Sequence, residues 1–228
     1  MQLDFTPAAI LFDMDGLMID SERIVLAQWR IAAAEQGMVF DDALLISMVG
    51  LHEKLCHALL KQRFPGHDLD SLFARTDALY AAEVENGLPL KGGIIELLQW
   101  LEQIGMPRAV ATSTKRVRAE QKLRLAGLDR FFELVVSGDD IEHPKPAPDI
   151  YLQAAARLGV DPQRCLVLED SDPGVRAALA AGMTAIQIPD LKPPSDALLA
   201  MGHRVLPSLH EAHQLLRQRF AQTSEAPA

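Results

Sequence analysis

The sequence predicts a doubly wound, Rossmann-like parallel α/β sheet with an α-helical cap domain inserted after the first strand. Three observations carry this. Short apolar runs alternate with helical patterns along most of the chain, one long connection holds helical patterns only, and polar residues follow each of three strand runs.

The first run, 8–12, has the length and bounding of a buried parallel strand. The connection after it reads as helices over 21–36 ended by Gly37, 41–48, 51–64 ended by Pro65 and Gly66, and 68–86. It is far longer than an ordinary βα crossover, so it is an insertion. The domains are then 1–19 with 88–228 for the core and 20–87 for the cap. An insertion at this point falls over the carboxyl ends of the strands, where open α/β sheets bind ligands, and would act as a lid. The core resumes with a helix over 93–104, a strand at 108–111 and a helix over 115–126 closed by Gly127. A strand at 134–136 and a helix over 148–158 closed by Gly159 follow. The strand at 165–168, a helix over 173–181 closed by Gly182, and a fifth strand at 185–188 stopped by Pro189 complete the pattern. The small, polar stretch 221–228 is expected to be disordered.

Composition narrows the function. The chain has 228 residues, 31 acidic against 22 basic, for a formal charge of −9. Its 49% hydrophobic content supports a packed core and excludes a disordered or low-complexity chain. The negative balance opposes a phosphate backbone, so nucleic acid is not an expected partner, and a phosphorylated ligand must meet a locally positive site. The cluster Lys115, Arg116, Arg118, Lys122 and Arg124 has no interleaved aromatics and reads as a solvated helix face, except that Lys115 could add to the potential of a phosphate site. Cys56 and Cys165 lie far apart without metal-ligand spacing, which fits reduced thiols and a cytoplasmic setting. No stretch of about 18 uncharged apolar residues is present to span a membrane. The opening MQLDFTPAAILFDMDG lacks the basic region of a secretory signal. With no long exposed apolar stripe, a monomer is expected.

Chemistry gathers after the strands. The first delivers Asp13 and Asp15, the second Thr112, Ser113 and Thr114, and the strand from Cys165 delivers Glu169, Asp170 and Ser171, four carboxylates with a hydroxyl cluster. In a parallel sheet these positions share one edge, and carboxylates collected there cost stability unless a cation is bound. An all-oxygen cluster suits Mg²⁺, a hard cation that keeps waters and binds phosphate, rather than zinc. Lys145, stiffened by Pro144 and Pro146 just before a helix, supplies the positive charge the overall balance lacks.

FDMDGLMIDSE at 12–22, AVATSTK at 109–115, KPAPDIYLQAA at 145–155 and VLEDSDPGVRAALAAGM at 167–183 resemble the four motifs of the haloacid dehalogenase-like hydrolases. Within that superfamily the chain is similar to the branch with a helical cap, which includes sugar-phosphate phosphatases and β-phosphoglucomutase. The resemblance implies that Asp13 attacks phosphorus to form an aspartyl-phosphate and that Asp15 acts as general acid, then base. It implies Mg²⁺ held by the Asp13 carboxylate, the Asp15 carbonyl and Asp170, with Glu169 nearby. Thr112, Ser113 and Lys145 are the implied phosphate-binding residues.

Haloalkanoate dehalogenases of the superfamily lack the second carboxylate, so Asp15 points to phosphoryl chemistry. A phosphonoacetaldehyde hydrolase would need a cap lysine, and Lys54 is one residue out of register for it. The mutase has a histidine where this chain has Val25 and a basic residue where it has Glu53. The expected activity is therefore hydrolysis of a small phosphorylated metabolite, a sugar phosphate foremost, with Gly50, His52 and Glu53 as candidate substrate contacts in the cap. A hexose-phosphate mutase and a catalytically silent binding module remain the alternatives.

Overall fold

In a computed structural model, which describes residues 3–49, 53–85 and 87–224, the chain divides into two compact units: Met1–Ile19 with Pro89–Ala228, and Asp20–Leu88. The first is built on a six-stranded parallel sheet: β1 (Ala9–Phe12), β2 (Arg108–Ala111), β3 (Val135–Val136), β4 (Cys165–Glu169), β5 (Thr184–Gln187) and β6 (Arg204–Val205). Its order is β3-β2-β1-β4-β5-β6. Successive strands are therefore added on one side up to β3 and on the other side from β4, and such a switch point between β1 and β4 opens a crevice at the strands' carboxyl ends.

β1 pairs on both sides and all four of its residues are buried, which is why it reads as an uninterrupted apolar run. Ile10 lies opposite Arg108 and Leu166, and Phe12 opposite Val110 and Leu168. That register brings the ends of β1, β2 and β4 level, so the residues after Phe12 and Ala111 and the end of β4 share one edge. β6 has no counterpart among the expected strands. It is two residues long, begins with a charged residue and sits at the sheet's margin, where no continuous apolar run is needed.

In the connections of this unit, the helices with a bearing on the site are α6 (Arg116–Leu125), α7 (Asp149–Leu158) and α8 (Asp172–Ala180). Their numbering follows the four helices of the second unit and α5 (Ile94–Gln103). One core cluster joins Leu11, Val136 and Val167 of the sheet to Ile150, Tyr151 and Ala154 of α7 and Val175 and Ala178 of α8. α8 starts cleanly because the Ser171 side chain accepts from Gly174 N–H at 3.2 Å and Pro173 occupies its first turn. A short α9 (Asp196–Leu199) precedes β6. The last helix, α10 (Leu209–Ser224), runs through 221–224, where composition suggested disorder. Buried Leu209, Ala212 and Leu216 anchor it, and Phe220 packs edge-on against Trp100, 5.7 Å between centroids. Residues 225–228 lie outside the described part.

The second unit is all-helical: α1 (Ser21–Glu35), α2 (Asp42–Met48), α3 (Glu53–Arg63) and α4 (Leu69–Val84). It has its own core of Trp29, Phe40, Leu45, Leu60 and Leu72. Trp29 meets Phe73 edge-on at 4.8 Å, and Phe40 stacks on Phe64 at 5.3 Å. Asp41 and Asp68 start α2 and α4 by accepting from Leu44 and Ser71 N–H. Arg75 ties α4 to α1 through two bonds to Glu35, at 2.6 and 2.7 Å. Both cysteines are buried and neither is in a disulfide, and no helix among the described residues is long and apolar enough to cross a membrane.

Candidate active site

Two aspartates leave the sheet at its central strand. Asp13 still donates its N–H to Leu168 O at 3.0 Å, so it is anchored to β4 one residue beyond the end of β1. The chain then turns back at once: Gly16 has φ 87°, its N–H meets Ile19 O at 2.9 Å, and Met18 and Ile19 both donate to Met14 O. This tight loop keeps Asp13 buried, at 8% exposure, and leaves Asp15 at the rim.

Lys145 reaches back to the sheet from the proline-rich segment ahead of α7. An ammonium has three protons to donate. Lys145 donates to Asp13 Oδ1 at 2.5 Å, Glu169 Oε1 at 2.7 Å and Ala111 O at 3.1 Å. Glu169 is fully buried at the end of β4. Its Oε1 also accepts from the Tyr151 hydroxyl at 3.0 Å, and its Oε2 accepts from Ser171 N–H at 2.8 Å and Ser171 Oγ at 2.9 Å. Gly174 makes room for this carboxylate, since a Cβ there would fall 1.6 Å from Oε1.

One ammonium thus faces two carboxylates in a buried cluster, which leaves a negative charge in excess. Burial pushes the Asp13 carboxyl up to about 7, with Glu169 adding to the rise and Lys145 opposing it. For Lys145, burial acts against the charge, but Asp13 and Glu169 outweigh it and hold the ammonium well above its ordinary range. The lysine is therefore charged, and burial beside Glu169 favours the neutral form of Asp13. Burial, reinforced by Glu169, keeps the Tyr151 phenol protonated and donating.

Asp15 is held from the other side. Its Oδ2 accepts from Thr114 Oγ1 at 2.7 Å and its Oδ1 from Lys122 Nζ at 2.6 Å. Thr112 is buried at the end of β2, donating its N–H to Val136 O and accepting Thr114 N–H on its Oγ1 at 3.1 Å. Ser113 between them is exposed. A Cβ at Gly138 would lie 2.5 Å from the Ser113 carbonyl, so the loop after β3 closes tightly on the loop after β2. Asp170 projects toward the Asp13–Gly16 turn: a Cβ on Gly16 would meet its Oδ2 at 2.4 Å. Gln187 steadies the Asp170 carbonyl at 3.1 Å.

Lys145 therefore touches both Asp13 and Glu169, Asp15 is tied to the Thr112 loop through Thr114, and Asp170 faces the loop after β1. Glu169 differs from the sequence expectation, because both of its oxygens are taken by protein donors and it acts on Lys145. Lys122 corrects the sequence reading. Among its basic neighbours it reads as part of a solvated face, yet its side chain is 13% exposed and paired to Asp15. The available signal was its helical spacing, three after buried Ala119 and adjacent to buried Leu123. Thr114 and Ser171 belong to the expected hydroxyl cluster after the strands, and their contacts to Asp15 and Glu169 give each a specific partner; Tyr151 has no such sequence signal, since a lone hydroxyl on a helix carries no pattern of its own. Gly50 and His52 lie outside the described residues. Glu53 opens α3, and its side chain is likewise outside them.

A hard cation fits the edge. Among the described residues no three His, Cys, Asp or Glu side chains form a closed metal cage. Mg²⁺ uses no such cage: it binds one or two carboxylates and substrate phosphate and retains waters. Asp13 stands at the strand end with an oxygen on Lys145, Asp170 faces the same turn, and Gly16 supplies the space for that approach.

Residues 7–182 match the haloacid dehalogenase-like hydrolase family. The fructose-1-phosphate phosphatase YqaB of Escherichia coli is 33% identical over 184 residues, 79% of this chain and 96% of that protein. A phosphorylated carbohydrates phosphatase of Thermotoga maritima is 31% identical over 179 residues, 78% of this chain and 83% of that protein. Among solved structures, a HAD family hydrolase of Deinococcus radiodurans with bound phosphate and sodium superposes with a TM-score of 0.78 at 32% identity, covering 97% of this chain and 98% of that one.

Proposed function

The chain belongs to the haloacid dehalogenase-like hydrolases and is a phosphoric monoester hydrolase, and from that premise we propose that it cleaves sugar phosphates through an aspartyl-phosphate on Asp13 with Mg²⁺ beside it. The observation that carries the reading is the Asp13–Lys145 contact of 2.5 Å at the switch point of the sheet. A carboxylate nucleophile must approach a phosphate dianion, and a fixed ammonium touching that carboxylate offsets the repulsion without reorganising.

In this reading an Asp13 carboxylate oxygen attacks phosphorus while Lys145 and the Thr112–Ser113 loop hold the transferring oxygens. Asp15 gives its proton to the departing sugar oxygen. A water then attacks the phospho-aspartate and passes a proton to Asp15, which frees phosphate and restores the Asp13 carboxylate. Asp13, the Asp15 carbonyl and Asp170 would hold Mg²⁺, which supplies charge neutralisation at the phosphoryl oxygens. The helical unit would act as the substrate-selecting cap, with Gly50, His52 and Glu53 as its candidate contacts. A monomer in the cytoplasm with no nucleic-acid partner completes the proposal.

The mutase alternative is disfavoured because Val25 stands where that branch carries histidine, and here it packs on the helical unit's apolar core.

Phosphate release from a panel of sugar phosphates and hexitol phosphates, with Mg²⁺ and with EDTA, tests the reading. Turnover is expected only with Mg²⁺, and Asp13→Asn should abolish it while leaving the fold intact. An Asp13→Asn variant of near wild-type rate would sink the mechanism. A product of isomerised sugar phosphate without free phosphate, from β-glucose 1-phosphate and catalytic bisphosphate, would favour the mutase.

A further inference from the structure

The Asp15 carboxylate is gripped at both oxygens by groups from α6 and the loop that leads into it. Thr114 Oγ1 donates to Oδ2 at 2.7 Å, and Lys122 Nζ donates to Oδ1 at 2.6 Å. Lys122 lies on the face of α6 that carries Ala119 and Leu123, both buried, and its own side chain is 13% exposed. Fixing a long lysine chain costs it much of its rotamer freedom, and an ion pair that water still reaches returns little of that cost. Ordering a lysine in this partly buried place is therefore a poor stability device, and its end point is a carboxylate at the candidate reaction centre.

The geometry points to Lys122 as a positioning residue for acid–base catalysis, fixing with Thr114 the orientation in which Asp15 meets the leaving-group oxygen. The inference rests on the phosphatase reading and extends its machinery to a helix outside the strand-end residues. One contact leaves a carboxyl free to swing about its terminal torsion, whereas contacts to two different oxygens fix both side-chain torsions. In the first half-reaction the Asp13–phosphorus bond forms, the bond from phosphorus to the sugar oxygen breaks, and the Asp15 proton goes to that oxygen. In the second, water oxygen bonds to phosphorus, the Asp13–phosphorus bond breaks, and a water proton returns to Asp15. The net change is sugar phosphate plus water to sugar plus phosphate. A positioned acid contributes about 10²–10⁴-fold, and a displacement on the order of 1 Å forfeits about 10²-fold.

The test separates proton delivery from everything else. The ratio kcat/KM reports steps through cleavage of the ester bond. A sugar alkoxide needs a proton to leave, and p-nitrophenolate does not. The full-length chain with Mg²⁺ is assayed on p-nitrophenyl phosphate and on the sugar phosphate turned over fastest in the panel. Lys122→Met should lower kcat/KM for the sugar phosphate by about 30–100-fold and for the aryl phosphate by less than about threefold, and Lys122→Arg should restore most of the loss. Activity on the aryl ester itself reports that the variant is folded. If Lys122→Met fails to accumulate, Thr114→Val removes the other contact and should show the same split. Equal losses on both esters would mean a structural role, and no loss on either would mean that Asp15 needs no such grip; each overturns the inference. A wild-type chain inactive on both esters overturns the hydrolase reading itself, which is a different result from loss of the split.

Discussion

The Tyr151 hydroxyl donates to Glu169 Oε1 at 3.0 Å, and the Lys145 ammonium that shares this oxygen lies 5.0 Å from the centre of the Tyr151 ring. A tyrosine on α7 thus orients the carboxylate that orients the lysine. Tyr151→Phe removes one bond to a buried charge while keeping the ring and its packing. The expected cost is about 1.5–3 kcal/mol of stability, with a fall in kcat of roughly tenfold or less and little change in KM, read from urea unfolding and steady-state kinetics. A variant as stable as wild type would show that Glu169 does not depend on this bond.

Gly16 carries two constraints at one position. Its φ of 87° costs any side chain about 1–3 kcal/mol, and a Cβ would lie 2.4 Å from Asp170 Oδ2. Gly16→Ala should therefore displace Asp170 as well as strain the loop. The expected outcome is a Mg²⁺ activation curve shifted to roughly tenfold or higher concentration, with kcat partly recovered at saturating Mg²⁺. An unchanged activation curve would place Asp170 outside the cation site.

These two positions show what the sequence could and could not disclose. The strand ends were legible because β1, β2 and β4 are buried on both faces and so read as apolar runs, and the carboxylates that follow them stand out. Glu169 was visible as a residue but not in its role: hydropathy cannot say that both its oxygens turn inward to Lys145, Tyr151 and Ser171. Lys122 was hidden by its neighbours, since five basic residues close together look like one solvated face although one of them shares a stripe with Ala119 and Leu123. β6 was hidden because a two-residue marginal strand has no pattern long enough to register.

Lys145 is the charge on which two buried carboxylates depend. Lys145→Met should abolish detectable turnover, a loss of 10³-fold or more on the order expected for electrostatic groups at a transferring centre. It should also destabilise the fold by about 3–5 kcal/mol, because Asp13 and Glu169 would remain buried without a counter-charge. Adding Glu169→Gln to that variant removes one of the stranded charges and should recover part of the stability while activity stays absent. A urea-unfolding cycle in EDTA measures this, and a double variant less stable than Lys145→Met alone would contradict the account of the cluster.

Asp140, away from Asp13 and Asp15, contributes stability that is lost in acid. Burial alone would raise its carboxyl, but the Ser137 N–H and hydroxyl, Arg157 and the charge of Arg116 together hold it down at about 2. These contacts join the loop after β3 to α6 and α7. A carboxyl lowered in the folded state binds its proton more readily when unfolded, so it adds stability above the unfolded value and loses it as pH falls through the folded one. The drop from 3.8 to about 2 converts to roughly 2.5 kcal/mol, and solvent screening at this partly exposed position reduces it to about 1 kcal/mol. Asp140→Asn should therefore cost about 1 kcal/mol at pH 7, nearly as much at pH 5, and progressively less as pH falls from 4 toward 2. Urea midpoints of the two proteins across that range test it. A gap as wide at pH 2 as at pH 7 would mean that Asp140 contributes through shape and not through its charge.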